Sequence, residues 1–166
     1  MKIAITGKPG TGKTTLIKRI FSELSSRNVS VSGFYTEELR EKGQRIGFDI
    51  VMLNKEVRLP LARKEMGKPR IGKYRVFIEN IEKALKLIKP ADLYIIDEVG
   101  KMELLSPSFK SYILNLLEEK NYIITYGLGI DENIRKSIEE KSRVFVLNSE
   151  NREYLFNEIL LRLNIG

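Results

Sequence analysis

The run Gly7-Lys8-Pro9-Gly10-Thr11-Gly12-Lys13-Thr14 constrains this chain more than any other stretch. It fills every position of the phosphate-binding pattern G-x-x-x-x-G-K-[ST]. Glycines let the backbone bend tightly, so that successive N–H groups turn inward around phosphate oxygens. In such a loop the lysine, here Lys13, reaches the β- and γ-phosphates as a point charge, and the Thr14 hydroxyl ligates Mg²⁺. The flanks fit. Residues 2–6 are a short apolar run that predicts a strand, and Leu16, Ile17, Ile20, Phe21 and Leu24 recur at helical spacing over 13–25. A helix N-terminus with its partial positive charge would then face the phosphates. Gly7, Lys8, Pro9, Gly10, Thr11, Gly12, Lys13, Thr14 and Thr15 are therefore the candidate nucleotide-binding residues. The dinucleotide fingerprint G-x-G-x-x-G is the rival for a glycine-rich turn, but the glycine order does not match it and it has no use for Lys13-Thr14.

Composition removes several chemistries. The chain has no cysteine and no histidine, which excludes disulfides, thiolate and imidazole metal ligands, cysteine nucleophiles and a Ser-His-Asp triad. Acid–base work falls to carboxylates, lysines or water. The first residues enter a strand directly and no apolar run approaches the ~20 residues of a membrane span. The expectation is a soluble, cytoplasmic protein with no membrane partner.

Periodicity continues the strand–helix alternation. Strands are expected at 29–37, 93–97, 122–126 and 143–147, and helices at 77–89, 107–120, 131–141 and 152–163. Ser106 and Pro107 read as N-cap and first-turn residues, and Pro90 as a stop. Residues 45–53 and 57–62 read as paired strands joined at Asn54-Lys55-Glu56, with a turn before them at 41–44 and a loop at 66–73. Asp49 and the other charges in those strands suggest one solvated face. The fold class is α/β: a mainly parallel sheet with helices on both faces, right-handed crossovers and a β-hairpin insertion at about 40–75, all in one domain spanning 1–166.

That insertion carries the charge. Residues 40–75 hold eleven Lys/Arg against four Asp/Glu, an excess equal to the net charge of +7 of the whole chain. Three readings are open: an electropositive flap near a polyanionic nucleotide, an ordinary solvated basic face, and a nucleic-acid surface.

The second half of the site is expected at Asp97-Glu98, at the end of the most hydrophobic strand, where ligands meet the carboxyl edge of such sheets. Asp97 is the candidate metal-directed carboxylate beside Thr14. Glu98 is the candidate catalytic residue with Lys13, polarising the attacking water. No Asn-Lys-x-Asp is present, since Asn54-Lys55-Glu56-Val57 ends in valine, and guanine-only recognition has no support.

The segments Gly7–Thr15, Gly33-Phe34-Tyr35-Thr36-Glu37-Glu38, Arg45-Ile46-Gly47-Phe48 and Asp97-Glu98-Val99-Gly100-Lys101-Met102-Glu103-Leu104 resemble the small archaeal and bacterial nucleoside-triphosphatases of the THEP type, which also have eukaryotic relatives. The resemblance spans most of the chain and fades toward its C-terminus. It implies a RecA-like sheet and Mg²⁺-dependent hydrolysis of nucleoside triphosphates to diphosphate and phosphate with loose base preference. Within the last segment Lys101 is a candidate to neutralise phosphoryl charge. Glu103 reads as structural, holding Lys101 or a backbone N–H. Two other functions remain in view: a nucleotide or nucleoside kinase, and an NTP-switched nucleic-acid-binding module.

Overall fold

Residues 3–5, 93–96 and 122–126 are apolar almost throughout, and the structure buries all three at the centre of one sheet. The computed structural model describes residues 1–163. Its strands are β1 (Lys2–Thr6), β2 (Val31–Glu41), β3 (Gln44–Met52), β4 (Arg58–Arg63), β5 (Arg70–Ile71), β6 (Tyr74–Val76), β7 (Leu93–Val99), β8 (Tyr122–Tyr126) and β9 (Arg143–Val146). They lie in the order β5-β6-β4-β3-β2-β7-β8-β1-β9. From β2 to β9 neighbours run parallel; from β2 outward to β5 they run antiparallel. The helices are α1 (Lys13–Ser26), α2 (Ile78–Leu87), α3 (Pro107–Glu119), α4 (Glu132–Lys141) and α5 (Arg152–Arg162).

Alternation along the central strands builds two cores. Ile3 and Ile5 of β1, Leu93 and Ile95 of β7 and Ile123 of β8 join Leu16, Ile17 and Ile20 of α1 and Leu155 and Ile159 of α5. Ala4, Tyr94, Ile96, Tyr122 and Ile124 point the other way, toward Ile81 of α2, Phe109 and Ile113 of α3, and Ile134 and Ile138 of α4. Helices cover both faces, which is why these strands read as continuous apolar runs. The Ser106 hydroxyl accepts from the Phe109 amide at 3.2 Å with Pro107 in the first turn, as the sequence predicts for α3.

Four expectations need correction. β2 does not end at 37 but runs to Glu41, so the turn expected at 41–44 closes a hairpin between β2 and β3. Lys42 and Gly43 carry φ values of 51° and 77°, the left-handed pair of a two-residue hairpin whose twist matches its strands. The stretch read as loop at 66–73 contains β5, which pairs with β6. Asp49 is not on a solvated face: it is 6% exposed, with Arg58 Nε at 2.7 Å and Arg63 Nη2 at 2.6 Å. The basic segment is thus the antiparallel half of the main sheet, from the end of β2 to β6. Finally, Asp97 does not end its strand, because β7 continues through Glu98 to Val99.

Candidate active site

The loop between β1 and α1 is built by its glycines. Gly10 and Gly12 hold φ values of 83° and 95°, in the left-handed region that side chains disfavour. A Cβ on Gly7 would lie 2.5 Å from the Leu147 carbonyl oxygen, so the loop can root against the end of β9 only with glycine there. Thr11 braces the turn, its hydroxyl donating to the Lys8 carbonyl at 2.8 Å. Gly12 caps α1 without a side-chain acceptor, and no acidic residue stands in the first turn. The amide donors there are left for an anion. Lys13 Nζ donates to the Gly7 carbonyl at 2.8 Å, which keeps its charge at the loop.

Asp97 meets this loop from β7. It is 1% exposed. The Thr14 hydroxyl donates to its Oδ2 at 2.8 Å and the Thr125 hydroxyl to its Oδ1 at 2.5 Å. Burial pushes its carboxyl above the usual range, while Thr125, Thr14, the Thr36 amide and the Lys13 charge favour the ionised form and limit the rise.

In a regular strand, adjacent side chains point to opposite faces, which would turn Glu98 away from the loop if Asp97 faced it. β7 avoids this. Ile96 pairs with Ile124 and Val99 with Tyr126, so Asp97 and Glu98 together oppose the single residue Thr125. Two residues against one is a bulge, and bulges re-aim side chains beside functional sites. Both carboxylates consequently sit within the field of Lys13. Burial and the Asp97 charge raise the Glu98 pKa, and Lys13 opposes them.

A third carboxylate lies behind. Glu103, 4% exposed, opens a 3-10 turn, and a Cβ on Gly100 would sit 3.0 Å from Glu98 Oε1 and 3.2 Å from Glu103 Oε1. Burial first, then the Glu98 charge, hold its carboxyl well above the usual range, although its own amide donates to it. Lys101 extends elsewhere: its Nζ would be 3.5 Å from a Cβ on Gly129, in the loop after β8.

Thr14 and Asp97 are in direct contact, and the Lys13 charge acts on both Asp97 and Glu98, whereas Lys101 lies against Gly129. Sequence reasoning missed Thr125, Thr36 and Arg152. Thr125 had a signal: it is the lone aliphatic-run breaker at the carboxyl end of the strand Tyr-Ile-Ile-Thr-Tyr. Thr36 acts through its amide and Arg152 through tertiary packing, which leave no mark in composition or period.

A phosphate loop after the first strand of the parallel half of the sheet, with Asp97 of β7 hydrogen-bonded to Thr14 and β8 between the two strands, defines a phosphate-loop nucleotide-binding protein. The chain belongs to the NTPase family, whose model matches residues 2–160. It is similar to the nucleoside-triphosphatase THEP1 of Thermotoga sp. (strain RQ2), at 43% identity over 100% of this chain and 98% of that protein. The THEP1 of Archaeoglobus fulgidus is 39% identical, covering 96% of each chain. Among solved structures, the crystal structure of THEP1 from the hyperthermophile Aquifex aeolicus superposes with a TM-score of 0.80 at 30% identity, covering 99% of each chain. The solution structure of a human cancer-related nucleoside triphosphatase gives 0.79 at 34% identity, covering 98% of this chain and 97% of that one.

Proposed function

We propose that the protein hydrolyses nucleoside triphosphates to the diphosphate and phosphate, with Mg²⁺ as cofactor and loose preference among bases. The observation that supports this reading is the β7 bulge, which sets Asp97 and Glu98 together opposite Thr125, with the Lys13 charge acting on both. A binding site needs only one carboxylate there; a second, unengaged by metal-directed hydroxyls, suits a residue that handles water.

The donor set suits Mg²⁺. Thr14 and Asp97 offer hard oxygen atoms side by side. Among the described residues no cluster of three or more His, Cys, Asp or Glu could hold a metal by itself. This favours an ion held jointly with the substrate's phosphates, as Mg²⁺ commonly is. Mg²⁺ when bound would neutralise phosphate charge and orient the terminal phosphoryl group.

The chain's own residues do the rest. The amides of Gly10, Thr11, Gly12 and Lys13 line the triphosphate, with Gly7, Lys8, Pro9 and Thr15 shaping the loop around it. Lys13 offsets charge building on the bridging and terminal oxygens. Asp97 orients Thr14. Glu98 accepts the proton of the attacking water, helped by burial and the neighbouring Asp97 charge, which raise its pKa above the usual carboxylate range. Lys101, which lies against Gly129 in the loop after β8, would have to swing toward the phosphates to offset their charge. Phosphate release from ATP, GTP, CTP and UTP, with Mg²⁺ and with EDTA, tests the whole reading. Release from several triphosphates in Mg²⁺ and none in EDTA is expected; equal release in EDTA, or none at all, contradicts it.

A further inference from the structure

We propose that Arg152 is the platform on which the nucleobase of a bound nucleotide stacks, an inference that rests on the loop reading above and assigns the other end of the same ligand. Arg152 is the first residue of α5, and its exposed side chain lies along the phosphate loop. A Cβ added to Gly12 would be 3.4 Å from its Cδ, 3.5 Å from Nε and 3.6 Å from Cζ, which is van der Waals contact with the guanidinium stem and plane.

Sheet order fixes which end of the nucleotide this is. Asp97, hydrogen-bonded to Thr14, marks the metal and terminal-phosphate end, and it belongs to β7 on one side of β1. β9, which leads into Arg152, lies on the other side. A triphosphate lying in the loop with its γ end at Asp97 and Glu98 directs its nucleoside toward β9 and the start of α5.

The segment is held there firmly. The Leu147 amide donates to the Thr6 carbonyl at 2.7 Å. Asn148 Oδ1 accepts from the amides of Glu150 and Asn151 at 2.8 and 3.0 Å, and Asn151 Oδ1 accepts from the Asn148 amide at 2.8 Å. At the very next residue, both oxygens of Glu153 accept from Arg19 at 2.6 and 3.0 Å, linking α5 to α1. That pairing also removes the nearest acid from Arg152. Among the described residues Arg152 makes no ion pair, so its guanidinium is free to serve a ligand.

A planar guanidinium stacks on any base and reads no edge. This chemistry fits loose base preference and separates Arg152 from a residue that would discriminate adenine from guanine. It also separates it from a phosphate-binding arginine, which would grip the triphosphate whatever base it carried.

Calorimetric titration of the full chain with ATP, GTP and inorganic tripolyphosphate, each with Mg²⁺, tests this directly. Arg152→Ala should weaken both nucleotides by about tenfold or more, as loss of a stacking partner does, and leave tripolyphosphate affinity unchanged. Arg152→Lys, which keeps the charge without the plane, should remain weakened. Unchanged nucleotide affinity in Arg152→Ala, a parallel loss for tripolyphosphate, or full rescue by lysine would each overturn the proposal. Binding is read here without turnover. A protein that binds nucleotide through Arg152 but releases no phosphate would therefore sink the hydrolase reading and leave this one standing.

Discussion

Lys13 and Glu103 hold their charged groups in contrasting surroundings. Lys13 has no carboxylate partner within hydrogen-bonding reach among the described residues; carbonyls of Gly7 and Lys8 hold it at the loop. Lys13→Ala removes the cation that is hydrogen-bonded into the cradle, and nucleotide affinity measured by calorimetry should fall by about a hundredfold or more, the worth of two or more charge-assisted hydrogen bonds. Glu103 behaves oppositely. Its carboxyl is held well above the ordinary value of 4.5 by burial and by Glu98. The folded state therefore prefers the protonated form, and the stability Glu103 contributes is fully present below about pH 4.5 and lost as pH rises through the folded value. Glutamine does not titrate. The melting temperature of Glu103→Gln relative to the parent, in EDTA and without nucleotide, should rise as pH increases above 4.5. A difference that is flat with pH would mean Glu103 ionises freely in the fold. At this scale the sequence carried the loop residues in full, because each has a fixed place in a local pattern. It could not carry Arg152, whose meaning depends on β9 lying beside β1.

Two elements turn local sequence into site geometry. The first is β7, where the bulge opposite Thr125 breaks alternation between Ile96 and Val99. The apolar run from Leu93 was legible as a buried strand; the bulge was not, since nothing in Asp-Glu-Val reveals two residues opposing one. The second is β2. Its Gly33 has φ 131°, and a Cβ there would fall 1.8 Å from the Ile95 carbonyl oxygen. β2 can pair with β7, and bring the Thr36 amide to Asp97, only while residue 33 lacks a side chain. Gly33→Ala should destabilise the protein by about 3 kcal/mol or more, the upper end of overpacking costs, as read by urea denaturation. A loss below about 1 kcal/mol, ordinary for a single substitution, would mean that β2 shifts off β7 without penalty. The hairpin turn at Lys42-Gly43 shows a different limit. The turn residues were recognisable, but the strand was expected to end at 37; cross-strand pairing of Glu38 with Phe48 and of Glu41 with Gln44 carries it on through residues of low strand preference.

The whole molecule divides one sheet into a parallel half that holds the nucleotide and an antiparallel half that holds the charge. The excess of seven in residues 40–75 was legible, but its partners were not. Arg58 pairs with Glu37 and Asp49, Arg63 with Asp49, and Arg40 and Arg45 with Glu38. Glu37 and Glu38 precede the segment, so much of its charge is answered from within the sheet. Helices on both faces, short crossovers and the placement of the loop followed from periodicity alone, whereas the strand order that sets β7 and β9 on opposite sides of β1 did not. The proposed placement of the ligand, with one end at Glu98 and the other at α5, depends on that order. The most direct test of the account is therefore the Glu98→Gln variant, nearly isosteric and still able to hydrogen-bond, compared with the parent for nucleotide affinity and for turnover at saturating ATP and Mg²⁺. If Glu98 takes the proton of the attacking water, turnover falls by ~10²-fold or more while affinity changes little, the mark of an interaction made mainly in the transition state. Turnover within a few-fold of the parent would contradict the central claim.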